Sequence, residues 1–222
     1  MKKLLITIDG PAGAGKTTVS RKLARQLGYV YVDTGALYRG VAYEARKRGV
    51  SPDDDKALAR LCAEIDLRVV RTPSGTRLYS GDMDISDNIR TPEMSMMASA
   101  VSARPIVREA LLDIQRRLGA EKNAVFEGRD MGTVVFPDAE VKFFLTADIA
   151  TRAGRRHQEL SENCGQTLEA VTADMKRRDA DDSSRAAAPL KPADDAVLID
   201  STTLSVEGVV RQMLARVELS RY

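Results

Sequence analysis

The sequence predicts an α/β chain built on a parallel sheet with helices on both faces, and three observations point to it. First, Leu4-Leu5-Ile6-Thr7-Ile8 is an apolar run that breaks at Asp9-Gly10 and passes through a glycine-rich turn into a stretch where Val19, Leu23 and Leu27 recur four apart. That is a strand handing over to a helix. Second, Asn123 to Phe126 and Val141 to Thr146 are short, almost wholly apolar runs, which strands need when both of their faces are buried. Third, strands and helices alternate along the chain, the pattern of a three-layer sheet. A chain of 222 residues suits one such domain with insertions better than two separate ones.

Composition narrows the function classes. Charged residues make up 30% of the chain, yet the formal net charge is only +2, so charge signals neither general nucleic-acid binding nor a membrane-surface role. The run after Lys2-Lys3 is short and ends in a turn the fold uses, unlike a removable leader. No stretch approaches the roughly 20 apolar residues of a membrane span. Cys62 and Cys164 are isolated and fit no metal spacing; they read as reduced thiols of a cytoplasmic protein.

Taken in order, the helix from Thr18 stops at Gly28, and Tyr29 to Val32 is a short strand that delivers Asp33-Thr34-Gly35 to its C-terminal end. Open α/β sheets place their ligand sites at that edge. Ala36 to Arg48 is helical and ends at Gly49, and Asp53-Asp54-Asp55 is the negatively charged start of a third helix. Between Leu67 and Ile89 apolar and polar residues alternate around Pro-Ser-Gly and Ser-Gly-Asp turn signals, predicting a small antiparallel β insertion. Thr91-Pro92-Glu93 opens a helix through Ser102, and Pro105 another to Leu118. Met94, Met96 and Met97 are expected in the core. Ala196 to Asp200 supplies the last strand and Val206 to Leu219 the last helix.

The chemistry begins at Gly10-Pro11-Ala12-Gly13-Ala14-Gly15-Lys16-Thr17, a G-x-x-x-x-G-K-[ST] phosphate-binding loop. A polyanion is best held by converging backbone N–H groups, which a glycine-rich turn allows. The following helix aims its positive end at the same point. Lys16 would neutralise the β- and γ-phosphates and the Thr17 hydroxyl would ligate Mg²⁺.

Arg152, Arg155 and Arg156 fall on a helix beginning near Asp148, and Lys176, Arg177, Arg178 and Arg185 are expected as a cluster after the next one. Alone, such residues read as a solvated helix face. Beside a phosphate-binding loop they read as a mobile lid that surrounds a migrating phosphoryl group with cations and excludes water. Glu127-Gly128-Arg129-Asp130 directly follows a strand at the edge where the site is expected. His157 has no evident partner, and neither a His/Cys metal cluster nor a Ser-His-Asp arrangement can be assembled.

These residues resemble one family, the bacterial-type cytidylate kinases among the nucleoside monophosphate kinases. The similarity runs through IDGPAGAGKTT, YVDTGALYRG, GDMDISDNIRTPE, VREALL, EGRDMGTVVFPDAEVKFFLTA, RDADDSSRAAAPLKPA and VLIDSTTLS. The resemblance implies a three-layer P-loop kinase fold with a five-stranded parallel sheet, a β insertion in the NMP-binding region and a short helical lid. Its parts would be a core of residues 1–35, 103–150 and 188–222, an NMP-binding region of 36–102 and a lid of 151–187. It implies transfer of the γ-phosphate of ATP to CMP or dCMP with Mg²⁺. A monomer is expected, because the sequence shows no unexplained apolar helix face and no coiled-coil heptad.

Carried over by position, residues Gly10 to Thr17, with Thr18 and Arg156, would bind ATP, and Thr17 the metal. Lys16, Arg129, Arg178 and Arg185 would be catalytic. Thr34 resembles a hydroxyl near the ribose and base, and Arg39 and Arg129 resemble binders of the CMP phosphate. Ser99, Arg108 and Asp130 resemble the cytosine-reading set and Asp182 the sugar contact; Tyr38, Glu127 and Arg185 complete the acceptor residues. Glu127 stands where the family pattern has Asp, and Thr34 where Ser is common. On the same scaffold the acceptor could be a different monophosphate, or a hydroxyl group, which would require a carboxylate base for which Glu127 could serve. A nucleotide-dependent switch would require a guanine-reading Asn-Lys-x-Asp, which is not found.

Overall fold

The computed structural model describes residues 2–72, 75–161 and 166–221. Its first elements are β1(Leu5–Asp9), α1(Lys16–Leu27), β2(Val30–Asp33), α2(Thr34–Lys47) and α3(Asp55–Glu64). Three short strands follow, β3(Leu67–Thr72), β4(Gly75–Ser80) and β5(Met83–Asp84), then a 3₁₀ turn at Asn88–Arg90, α4(Pro92–Ser102) and α5(Pro105–Gly119). The rest is β6(Ala124–Glu127), a π-type turn at Met131–Val135, β7(Val141–Thr146), α6(Ile149–Ser161), α7(Leu168–Ser184), β8(Val197–Asp200) and α8(Val206–Leu219). These elements form two compact units, Met1–Tyr31 with Glu121–Tyr222, and Val32–Ala120.

The predicted sheet is present: five parallel strands in the order β2-β6-β1-β7-β8. All five residues of β1 are buried, because β1 lies between β6 and β7 and packs against α1 and the Met131–Val135 turn. Ile6, Ile8, Val125, Phe143 and Leu145 of the strands meet Val19 and Leu23 of α1 and Val209 and Met213 of α8 in one core. Parallel pairing brings the ends of β1 and β6 to one edge, where the Gly128 N–H donates to the Ile8 carbonyl at 3.1 Å. One charged residue sits within a strand read as an apolar run. Lys142 on β7 is buried along its stem while its ammonium reaches the Pro137 carbonyl and Asp195.

In the second unit Leu37, Val41 and Ala45 of α2, Leu58 and Leu61 of α3 and Val107 and Leu111 of α5 share a core with Leu67 and Leu78 of the small sheet. That sheet is antiparallel in the order β3-β4-β5. The Ser-Gly-Asp signal marks the turn between β4 and β5, where Gly81 has φ 56°; Pro73 and Ser74 of the other signal lie outside the described residues, as does Cys164.

Several expectations are corrected. The helix placed from Ala36 begins at Thr34, because the Asp33 carboxylate accepts the Ala36 N–H at 3.1 Å and caps it. Lys176, Arg177 and Arg178 do not follow a helix: α7 continues through them to Ser184, and only Arg185 lies beyond. Met94 is buried and Met97 partly so, but Met96 is 65% exposed, since residues three apart share a helix face and Met96 lies off the face that Met94 and Met97 share.

Candidate nucleotide site

The phosphate-binding loop spans β1 and α1, and Gly10 shows why its first position takes no side chain. Its φ is 143°, and a Cβ there would stand 1.9 Å from the Leu145 carbonyl oxygen of β7. Gly10→Ala is therefore expected to deform the loop, costing about 3 kcal/mol of stability and most of the nucleotide affinity. Thermal melts with and without ATP check this, and an unchanged ligand-induced Tm shift would refute it.

Lys16, 8% exposed, turns back over the loop. Its ammonium donates to the Gly10 and Pro11 carbonyls, each at 2.7 Å. Burial, then the charges of Arg129 and Arg178, push its pKa well below the ordinary lysine value against the opposing pull of Glu127 and Asp9. A cation so placed has much to gain from an incoming anion. Beside it the Thr17 hydroxyl donates to Glu127 Oε1 at 2.8 Å. Thus Glu127 lies on the Thr17 side of the loop, although the resemblance counts it with the acceptor. Hydroxyl and carboxylate oxygens suit a hard cation. Among the described residues no group of three or more His, Cys, Asp or Glu is placed to hold a metal ion.

Around this loop the same unit gathers Arg129, Arg178, Asp182 and Arg185. Asp182 is buried and accepts from Arg129 Nε at 3.0 Å and from the Arg185 guanidinium. Burial alone would raise its carboxyl, but the charges of Arg129, Arg185 and Arg178 hold it below the ordinary aspartate range. One carboxylate thus keeps like-charged guanidinium groups together before any phosphate is present. Asp130 is buried, and its carbonyl accepts the Val134 and Val135 N–H groups at 2.9 and 3.2 Å, opening the π-type turn.

The arginines of α6 divide. Arg152 donates to the Ala12 carbonyl at 3.2 Å and pairs with Asp179 of α7 at 2.7 Å. Arg155 donates to Ser201 Oγ and the Ser201 carbonyl at 3.0 and 2.7 Å, and Ser201 Oγ donates to the Ala14 carbonyl at 3.1 Å. Arg156, the one assigned to ATP, pairs with Glu159 at 3.0 Å one turn on. Helical spacing placed all three on one helix, but which of them reach the loop depends on α7 and β8.

The second unit holds the remaining candidates. Thr34 is buried at the start of α2. Asp33 caps that helix and also accepts from Arg39 Nη2 at 2.7 Å. Arg108 lies over the Tyr38 ring, 5.6 Å from its centroid, and donates to the Ser102 carbonyl at 3.3 Å. The Ser99 carbonyl accepts from Ser102 Oγ at 2.9 Å.

Two carboxylates absent from the sequence-level site residues thus hold parts of it. Asp33 grips Arg39, and Asp9 accepts the Met131 and Gly132 N–H groups at 2.9 and 2.7 Å. Asp33 sat in a segment already marked for its position after β2. Asp9 carried no signal beyond ending an apolar strand.

A parallel five-stranded sheet with a lysine-bearing phosphate loop after β1 and arginines around it defines a P-loop kinase. Solved structures agree on the fold. A shikimate kinase from Bacteroides thetaiotaomicron superposes with a TM-score of 0.51 at 13% identity, covering 98% of this chain and 99% of that one. An uncharacterized protein from Eubacterium ventriosum gives 0.55 at 13%, covering 97% and 99%.

The family model for cytidylate kinase matches residues 6–219. Curated cytidylate kinases from Geobacter sulfurreducens and Syntrophotalea carbinolica are 49% and 48% identical to this chain, covering 95% and 96% of it and 91% of each relative. The one from Halalkalibacterium halodurans is 44% identical over 98% of this chain and 99% of its own length. The chain belongs to the cytidylate kinase family.

Proposed function

We propose that this chain transfers the γ-phosphate of ATP to CMP or dCMP with Mg²⁺, giving ADP and CDP or dCDP, as a cytoplasmic monomer. The observation that carries the reading is the cation set around Lys16, Arg129, Arg178 and Arg185, in a chain of the cytidylate kinase family. A phosphate acceptor is already an anion and needs no general base. It does need cations that hold donor and acceptor in line and stabilise charge on the passing phosphoryl group. Arginine suits the acceptor because its planar fork grips two phosphate oxygens at once. When bound, Mg²⁺ neutralises phosphate charge beside Thr17. Glu127, already accepting the Thr17 hydroxyl, is thereby less suited to act as base for a hydroxyl acceptor.

Within this reading Gly10 to Thr18 and Arg156 serve ATP. Thr34, Tyr38, Arg39, Ser99, Arg108, Glu127, Arg129, Asp130, Asp182 and Arg185 serve CMP. Residues 36–102 act as the NMP-binding region, 151–187 as the lid, and 1–35, 103–150 and 188–222 as the core. A coupled assay with a panel of monophosphates and hydroxyl acceptors tests the reading; turnover confined to a hydroxyl acceptor would overturn it. Asp33→Ala removes both a helix cap and the partner of Arg39. It is expected to cost about 1 kcal/mol of stability and to raise the KM for CMP about tenfold with a smaller change in kcat. Steady-state kinetics beside a thermal melt check it, and an unchanged KM would remove Asp33 from acceptor binding.

A further inference from the structure

We propose that Asp9 is a positioning residue for acceptor recognition: its carboxylate fixes the Met131 and Gly132 backbone and so sets where Arg129 and Asp130 stand relative to the phosphate-binding loop. The inference rests on the reading of Arg129 and Asp130 as acceptor-side residues, and it concerns what holds them there.

Asp9 is 4% exposed at the end of β1, next to Gly10, whose carbonyl holds Lys16. Its two carboxylate oxygens accept two successive amides, Met131 N–H at 2.9 Å and Gly132 N–H at 2.7 Å. These are first-turn donors of the Met131–Val135 turn, which have no partner within a turn of this kind. A single side chain thereby joins the strand that feeds the donor-phosphate loop to the backbone that carries Arg129 and Asp130.

The residue type matters. Burying a carboxylate is costly, and a merely structural tie needs only a neutral acceptor. Only an ionised carboxylate offers two acceptor oxygens and no donor to a pair of N–H groups. Gly132 fits the same design. A Cβ there would lie 3.0 Å from Thr7 Oγ1, 3.2 Å from Lys142 Cδ and 3.4 Å from Asp9 Oδ2, so the amide reaches Asp9 closely because the position is bare.

The charged groups facing Asp9 are Lys16 of α1 and Asp130 of the turn, and the Lys142 stem passes Gly132 on its way to Pro137 and Asp195. Burial, with a smaller push from Asp130, raises the Asp9 carboxyl to about 6 against the pull of the two amides and of Lys16. The two-acceptor grip therefore weakens in mildly acidic solution, well above the pH at which an ordinary aspartate loses its charge.

Asp9→Asn keeps one acceptor and turns an NH₂ toward the other N–H. The expected result is a KM for CMP raised about tenfold or more, a kcat changed less, and a narrower CMP-over-UMP preference, with the KM for ATP changed by less than about threefold. An unchanged KM for CMP would overturn the proposal. So would an equal rise in both KM values with a lowered Tm, since Asp9 would then support the fold at large.

Should the variant fail to fold, ¹⁵N-resolved NMR of the wild-type protein without nucleotide keeps the proposal testable. The Met131 and Gly132 amide protons should shift together between pH 5 and 8 with a midpoint of about 6; two amides indifferent to pH would sink it. Asp130→Ala on the wild-type background tests the acceptor reading separately: an unchanged CMP-over-UMP ratio there would refute that reading while leaving the amide titration intact.

Discussion

Lys16→Ala is expected to lower turnover about a hundredfold or more while the protein stays folded, the scale of losing one preorganised donor worth roughly 3 kcal/mol in the transition state. The ammonium sits inside the loop on two carbonyls at 2.7 Å, where burial first, and then Arg129 and Arg178, disfavour its charge against the pull of Glu127 and Asp9. Its largest interaction is therefore with the charge of the reaction itself. The fold should tolerate the change, because a buried lysine whose pKa is depressed costs stability at neutral pH. Single-turnover kinetics and a thermal melt separate the two effects. Near-normal turnover in a folded variant would remove the loop from the mechanism.

The other large effect concerns the base. CMP is expected to exceed UMP in kcat/KM by about 10² to 10⁴. Cytosine presents an N4 amino donor beside an N3 acceptor, whereas uracil presents an O4 acceptor beside an N3–H donor. In the proposed reading the Asp130 carboxylate accepts the N4–H, and Arg108, which can only donate, serves the N3 or O2 side. Uracil would meet Asp130 with an oxygen and, at N3, Arg108 with an N–H, and hydrogen-bonding sites penalise such mismatches strongly when buried. Arg108 is suited to the task by its seat over Tyr38, and Asp130 by its burial at the head of a fixed turn. Asp130→Ala should reduce CMP use far more than UMP use. If the wild-type protein phosphorylates both equally, or if Asp130→Ala leaves their ratio as it was, the assignment is wrong.

What the sequence determined by itself is what local physics writes locally. The strand, loop and helix from Leu5 to Leu27 follow from an apolar run, a glycine-rich break and a four-residue period. The alternation of such units, together with the motifs shared with the cytidylate kinases, carried the sheet, the β insertion and the family. Most helix boundaries were legible for the same reason. Asp54, Thr91 and Ser205 cap helices through their own backbone neighbours at 2.9 to 3.1 Å, so the signal lies within a few residues of its effect.

What only the tertiary structure decided is which side chains those elements present to one another. Asp9 and Met131 are 122 residues apart, and nothing near either one encodes that a strand-ending carboxylate will meet two amides of a π-type turn. Arg155 and Arg156 are adjacent and chemically identical. One reaches Ser201 beside the phosphate-binding loop and the other pairs with Glu159, because Ser201 follows β8, which pairs with the β7 strand that leads into α6. Lys142 falls in a run read as a buried strand, but only the folded chain shows its charge led out to Asp195. A helix or strand period states that faces exist, but a charged group's partner is chosen by the packing of segments far away in the chain.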